Sequence, residues 1–223
     1  MDLTFLSKCP VRKGLEKWRE FSCGAALGFC NVHPEDGPPA SVCFLWAVSV
    51  AGQVQTGSSL YDFREFCFEL AEHAGHDFIM MCYNTKEFFQ FVRRYFDDPR
   101  VFADKEREPL DAVLVPGLHL RCGKMLSGMS LSELGRAYKC GVHAPSYEFP
   151  ALGEASAIPL DVLGYVTEEA RCMELLMADH IERAGGISKV PLTKTGYVRR
   201  YLRDRLLWGR GEGCTKQDFF WRA

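Results

Sequence analysis

No Cys-x-x-Cys pair occurs in this chain of 223 residues, although it has ten cysteines. They are spread almost evenly from Cys9 to Cys214, which excludes a zinc ribbon and a thioredoxin-type redox pair. The nearest metal-like grouping is Cys140 followed by His143, with Cys122 upstream, and the second close pair that a four-ligand site needs is lacking. No apolar run approaches the roughly 18 residues of a membrane span. The first residues, MDLTFLSKCPVRKGLEKW, have no apolar core after a basic start, so they do not read as a secretory signal. The expectation is a soluble, cytoplasmic chain with no membrane partner, its thiols reduced and several of them packed as small hydrophobes. Internal repeats and low-complexity tracts are absent too. Gly185-Gly186 lacks the spacing of a phosphate-binding loop, and the scattered histidines form no visible triad with serine.

Hydrophobic residues make up 47% and charged residues 25%, the proportions of a globular chain that buries a core. Sixteen Phe, eight Tyr and four Trp supply the bulk for it. The net charge of −2 hides an asymmetry: Lys189 to Arg210 carries seven bases against Asp204, a balance of +6, leaving −8 on the rest. A basic tail on an acidic body suits a polyanion or an acidic protein surface. A solvated helix face is the plain alternative.

Along the chain, Phe21 to Phe29 reads as a strand, followed by a loop, NVHPEDGPPAS. VCFLWAVSV (42–50) and VQT, turning at Ala51-Gly52, read as a hairpin. Ser58 or Ser59 caps a predicted helix over 60–73, and DFIMMCY (77–83) has the unbroken apolar run of a strand buried on both sides. The run KEFFQFVRRYF predicts a second helix with its Phe residues in the core. AVLV and LHLRC flank the turn pair Pro116-Gly117, and Ser130 with Glu133 fits a capping box opening a short helix. Thr167 is expected to cap a long helix closed by Gly185-Gly186, and a basic helix is expected over 195–208. This order predicts an α/β fold with a mixed sheet flanked by helices and a basic C-terminal helical extension; an RNase H-like layout suits it.

Seven segments, in order, carry a resemblance: FSCGAALGF, CFLWAVSV, GSSLYDF, CYNTKEFFQF, MSLSELGRAY, YVTEEARCMELL and PLTKTGYVRR. Together, over about residues 20–205, they resemble the N-terminal proofreading domain of protein-primed family B DNA polymerases of phages and mobile elements. The resemblance implies a 3′–5′ exonuclease of RNase H-like fold. It also implies motifs D-x-E, N-x-x-x-D and Y-x-x-x-D, whose carboxylates hold two divalent cations. Here D-x-E falls on Gly24-Ala25-Ala26. The second motif keeps Asn84 but has Phe88 in place of its Asp, and the third keeps Tyr165 with Glu169 at its Asp position. A lone Glu169 cannot assemble a two-metal site. Glu87, beside Phe88, lies about 100° round a helix from it and is expected to face elsewhere.

The resemblance therefore implies a degenerate exonuclease domain over residues 1–188 and a basic extension over 189–223, with no catalytic residue, no metal site and no cofactor. Magnesium or manganese would be called for only if the carboxylates were intact. The expected role is binding, either to single-stranded DNA or to a protein partner such as a separate polymerase subunit. A phage or mobile-element interaction module and a working metal-dependent nuclease are the alternatives. In the family, Asn84 would contact single-stranded DNA and Tyr165 would orient the attacking water; as plain structure, Asn84 caps the next helix and Tyr165 is a core aromatic. Lys194, Arg199, Arg200 and Arg203, interleaved with Tyr197, Tyr201 and Trp208, are the candidates for phosphate contact and base stacking.

Overall fold

The computed structural model describes residues 1–13, 16–32, 40–105, 108–142 and 158–206. The loop after residue 32 and the positions of His143, Trp208, Arg210 and Cys214 lie outside the described residues. Two short strands, β1 (Val11–Lys13) and β2 (Lys17–Arg19), form an antiparallel ribbon, and three-residue strands carry no period that a sequence can display. Then follow β3 (Cys23–Val32), β4 (Ala40–Val50), β5 (Gln53–Gly57), α1 (Leu60–Ala74), β6 (Phe78–Cys82) and α2 (Thr85–Val92). A further strand, β7 (Arg100–Lys105), precedes the hairpin β8 (Glu108–Val115) and β9 (Leu118–Cys122). The helices α3 (Gly123–Ser127), α4 (Leu131–Tyr138), α5 (Leu160–Ala184) and α6 (Lys194–Leu206) complete the chain.

Seven strands make one mixed sheet in the order β5-β4-β3-β6-β9-β8-β7. The central trio β3, β6 and β9 is parallel, and every other neighbouring pair is antiparallel. This is the mixed sheet that the element order predicts, with the RNase H-like layout that suits it, widened at one edge by β7 and β8. On one face, Ala25, Trp46, Val48, Phe78 and Met80 pack with α1 and α2. On the other, Ile79 and Met81 meet Met173 and Leu176 of α5, while Ala26 and Ala47 meet its Val166 and Ala170. All five residues of β6 are buried, as its apolar run predicts.

Local signals set most boundaries. Ala51 and Gly52, at φ 48° and 81°, make the tight primed turn of the β4–β5 hairpin. Ser59 caps α1, and Ser130 with Glu133 closes the capping box of α4. Of the Phe residues expected in the core, Phe88, Phe91 and Phe96 are buried, while Phe89 is half-buried and packs against them from the side.

Thr167 does not cap the long helix. α5 begins two turns earlier, after Pro159, whose fixed φ suits a helix start, and Asp161 in the first turn favours the amide dipoles there. The side of this early segment that faces the sheet is apolar through Val162 and Val166, so packing carries the helix past the threonine. β7 escapes prediction for the opposite reason: its Val101 and Phe102 are both exposed on an edge strand, which leaves no inward alternation to read. Among the described residues no helix is long and apolar enough to cross a membrane.

One buried acid fastens α5 to the sheet. The Glu174 carboxylate, 7% exposed, accepts hydrogen bonds from the Gly52 amide (2.8 Å), the Ser22 hydroxyl (3.2 Å) and the Ser49 hydroxyl. Buried donors left without an acceptor cost about 1–3 kcal/mol each. Glu174→Ala is expected to destabilise the protein by about 3 kcal/mol in urea denaturation, with Glu174→Gln costing less because one acceptor oxygen remains.

Candidate functional site

The parallel strand β6 ends at Cys82, beside Ala25 of β3 and Cys122 of β9. The chain beyond is clamped: the Tyr83 carbonyl accepts from the Lys124 amide at 2.9 Å, and the Tyr83 hydroxyl donates to the Met129 carbonyl at 3.4 Å. Asn84 then takes the N-cap position of α2 with extended backbone, and its carbonyl receives the Phe88 amide at 3.0 Å. Its side chain makes no capping hydrogen bond, so the plain capping role expected of it is not filled.

Over this mouth lies α5. Tyr165 and Glu169 lie one helical turn apart, Tyr165 packs on the same apolar cluster as Tyr83, and the charge of Glu87, in the first turn of α2, acts on both. Glu87 does point away from Phe88, as expected, and acts on the site through its charge alone. Phe88 turns into the core beneath α2, and its neighbour Glu87 is thereby placed on the exposed side, where its charge acts on both Glu169 and Tyr165.

Burial is the main cause of an unusual titration here. It pushes the Glu169 carboxyl up to about 7; the Tyr165 hydroxyl pulls it back and the Glu87 charge raises it further. The Tyr165 phenol is raised as well, first by burial and then by Glu169. A carboxyl that changes protonation near neutral pH, bonded to a phenol, can hold or pass a proton or accept a hydrogen bond from a guest. Two carboxylates from two helices are short of what a pair of divalent cations requires.

The strand that would supply the remaining oxygens is packed shut. Gly24 and Ala26 both point at α5, while Ala25 points to the opposite core. A methyl group added at Gly24 would fall inside the van der Waals radii of the Ala170 carbonyl oxygen and the Glu174 nitrogen, and 2.8 Å from the Met173 carbonyl carbon. Ala26 is 1% exposed among Leu45, Ala47, Val166 and Ala170. The helix rests on bare backbone at the first of these positions and on a methyl at the second.

The sequence-predicted residues fall into two groups. Tyr165 and Asn84 border the mouth. Lys194, Arg199, Arg200 and Arg203 sit on α6, which packs against the far half of α5 about 17 Å along its axis, at His180. There the Tyr197 hydroxyl meets His180 Nδ1 at 2.8 Å with the rings 5.5 Å apart, so Tyr197 is taken up by packing and does not serve as an open stacking platform. Arg200 is half-buried and donates to the carbonyls of Lys189 (3.2 Å) and Ala184 (3.4 Å), capping the end of α5. Lys194, Arg199 and Arg203 are exposed, as is Tyr201, over whose ring Arg205 lies at 5.0 Å. Sequence reasoning missed Tyr83, for which the only available signal was its place at the end of a buried strand.

Two predictions follow from this packing. Gly24→Asp is expected to destabilise the protein by more than about 3 kcal/mol, since overpacking and an unpaired buried charge act together; the midpoint of urea unfolding measures it. For Glu169, the folded value of about 7 stands above the ordinary 4.5. Its contribution to stability is thus complete below pH 4.5 and is lost as pH rises through 7. Glu169→Gln is expected to exceed the unaltered protein in stability at pH 8 by up to about 3 kcal/mol, less whatever water screens, with the gap closing below pH 4.5. Urea titrations at the two pH values measure it.

No described protein family and no curated protein matches the sequence. Solved structures do share the fold. Phi29 DNA polymerase complexed with single-stranded DNA superposes with a TM-score of 0.59 at 8% identity, over 82% of this chain and 35% of the polymerase. The post-translocation binary complex of that polymerase with primer-template DNA gives 0.55 at 8% identity, over 85% and 36%. Its orthorhombic crystal form gives 0.56 at 10%, over 82% and 34%. The chain spans about a third of the polymerase's length, and at such identity the likeness is one of fold: its architecture is shared with part of phi29 DNA polymerase.

Proposed function

We propose that this chain is a counterpart of the polymerase's 3′–5′ exonuclease domain that binds nucleic acid and does not cut it. In this reading residues 1–188 are the exonuclease-like domain and 189–223 a basic extension. The observation that carries it is the contact of α5 with β3: where the first motif's two carboxylates would stand, Gly24 admits no side chain and Ala26 is enclosed. Glu87 and Glu169 are left, and burial opposes charge on the latter. A two-metal mechanism needs one cation to activate water and another to stabilise the leaving oxygen, and this carboxylate pair is too small for both. No cofactor enters this function.

Binding rests on charge. Lys194, Arg199 and Arg203 project from α6 into solvent, and the neighbouring fold is that of a polymerase seen with single-stranded DNA. The mouth at Asn84 and Tyr165 would take the strand's end, with Tyr83 and Tyr165 as ring surfaces. Arg200 supports the helix and does not itself reach the guest. A cytoplasmic location and a separate polymerase chain as partner agree with this role.

Fluorescence anisotropy with a short 3′-labelled single strand tests the proposal. Three phosphate contacts predict a slope of log affinity on log salt near −2, and Arg199→Glu with Arg203→Glu should make it shallower by about 1.4. The same strand should stay intact during long incubation with manganese. Manganese-dependent shortening that Glu169→Ala abolishes would overturn the non-cutting part; absence of binding at low salt would overturn the binding part.

A further inference from the structure

At the opposite end of β6, roughly 17 Å from Cys82, a second set of polar side chains converges. Glu16, Asp77 and His119 each offer one ligand atom, and these atoms all lie within 4.8 Å of one another. They come from three separate stretches held in register by the backbone. Asp77, just before β6, gives its carbonyl to the Arg19 amide (2.7 Å) and its amide to the Lys17 carbonyl (3.1 Å), which docks the β1–β2 ribbon on the sheet. Glu16 precedes β2, and His119 stands on β9 opposite Ile79. The Trp18 ring covers the imidazole, their centroids 4.9 Å apart.

An independent feature lies behind the histidine. His119 Nδ1 meets Asp111 Oδ1 at 2.9 Å, and Asp111 Oδ2 accepts from Arg121 Nε at 2.6 Å. Asp111 is 8% exposed. Its two oxygens are thereby held between the imidazole and the Arg121 guanidinium. A lasting carboxylate at Nδ1 keeps the proton there and leaves the lone pair on Nε2. A buried carboxylate that orients an imidazole in this way is the outer support that metal-bound histidines have.

We propose that Glu16, Asp77 and His119 bind one divalent first-row transition ion of the zinc class, Asp111 positioning the imidazole and water filling the open positions. One nitrogen and two oxygens suit a borderline ion, and bond lengths of about 2.0–2.2 Å require only small closing movements of these three side chains. Without a cation two acids face each other, their oxygens within 4.8 Å. The ion resolves that conflict and staples the N-terminal ribbon to β6 and β9. This inference is independent of the nucleic-acid reading, since it concerns the other end of the sheet.

Cobalt(II) titration of the full chain tests it, because cobalt reports its donors. One equivalent is expected to bind with visible d–d absorption and without the ultraviolet thiolate band that cysteine ligands give, and zinc should displace it. His119→Gln and the exposed Glu16→Gln should each weaken binding at least tenfold. Both should keep the circular dichroism spectrum of the metal-free protein, and the exposed Glu16→Gln its urea midpoint as well, which separates loss of a ligand from loss of fold. No binding, a thiolate band, or affinity unchanged in both variants would overturn the site.

Discussion

The near-contact between α5 and the first central strand governs this molecule. A helix lies directly on strand backbone only where the strand offers almost no side chain, and Gly24 and Ala26 are those places. Because the helix comes so close, Glu174 reaches the Gly52 amide and fixes the β4–β5 hairpin. The same closeness brings Tyr165 and Glu169 down onto the end of β6, within range of Tyr83 and Glu87. Packing on one side of the strand and chemistry at its end thus have one cause.

Two buried acids and one half-buried one meet the interior in three ways. Glu174 is surrounded by donors and serves as a fastener. Asp111 is paired with an arginine and a histidine, whose combined pull overcomes burial. Glu169 has a phenol for a partner and a like charge nearby, so burial prevails and its proton is held to about pH 7. Dielectric environment, more than residue type, separates an anchor from a titrating group. The third case is the one a guest would alter, because any cation or donor entering the mouth would favour the charged form.

Much of the architecture was legible because periodicity and punctuation agreed. The buried run at 78–82, the Ala51-Gly52 turn and the Ser130–Glu133 capping box each state a local structure that packing did not contradict. Where packing overrode local signals the reading failed: at the start of α5, extended past Thr167 by apolar contact, and at the edge strand β7, which no alternation marks. At the candidate site the loss of D-x-E was visible as letters, and its physical meaning emerged from the helix above. Glu87 stands on the exposed side of α2, away from buried Phe88, as its place one position along the helix predicts. The group at Glu16, Asp77 and His119 was invisible for a plainer reason: its members are 61 and 42 residues apart in sequence, and only the docking of a three-residue strand joins them.

Among the bases of α6, Arg200 is turned inward onto the Ala184 and Lys189 carbonyls, while Tyr197 bolts the same helix to His180. These links draw on the helix's half-buried residues and leave its exposed cations untouched. The outward charges are therefore displayed at a settled angle before any guest arrives, and little orientational freedom remains to be surrendered at the moment of encounter. A rigid, ready-charged ridge favours fast capture of whatever anionic surface fits its pitch, and it discriminates by shape against those that do not.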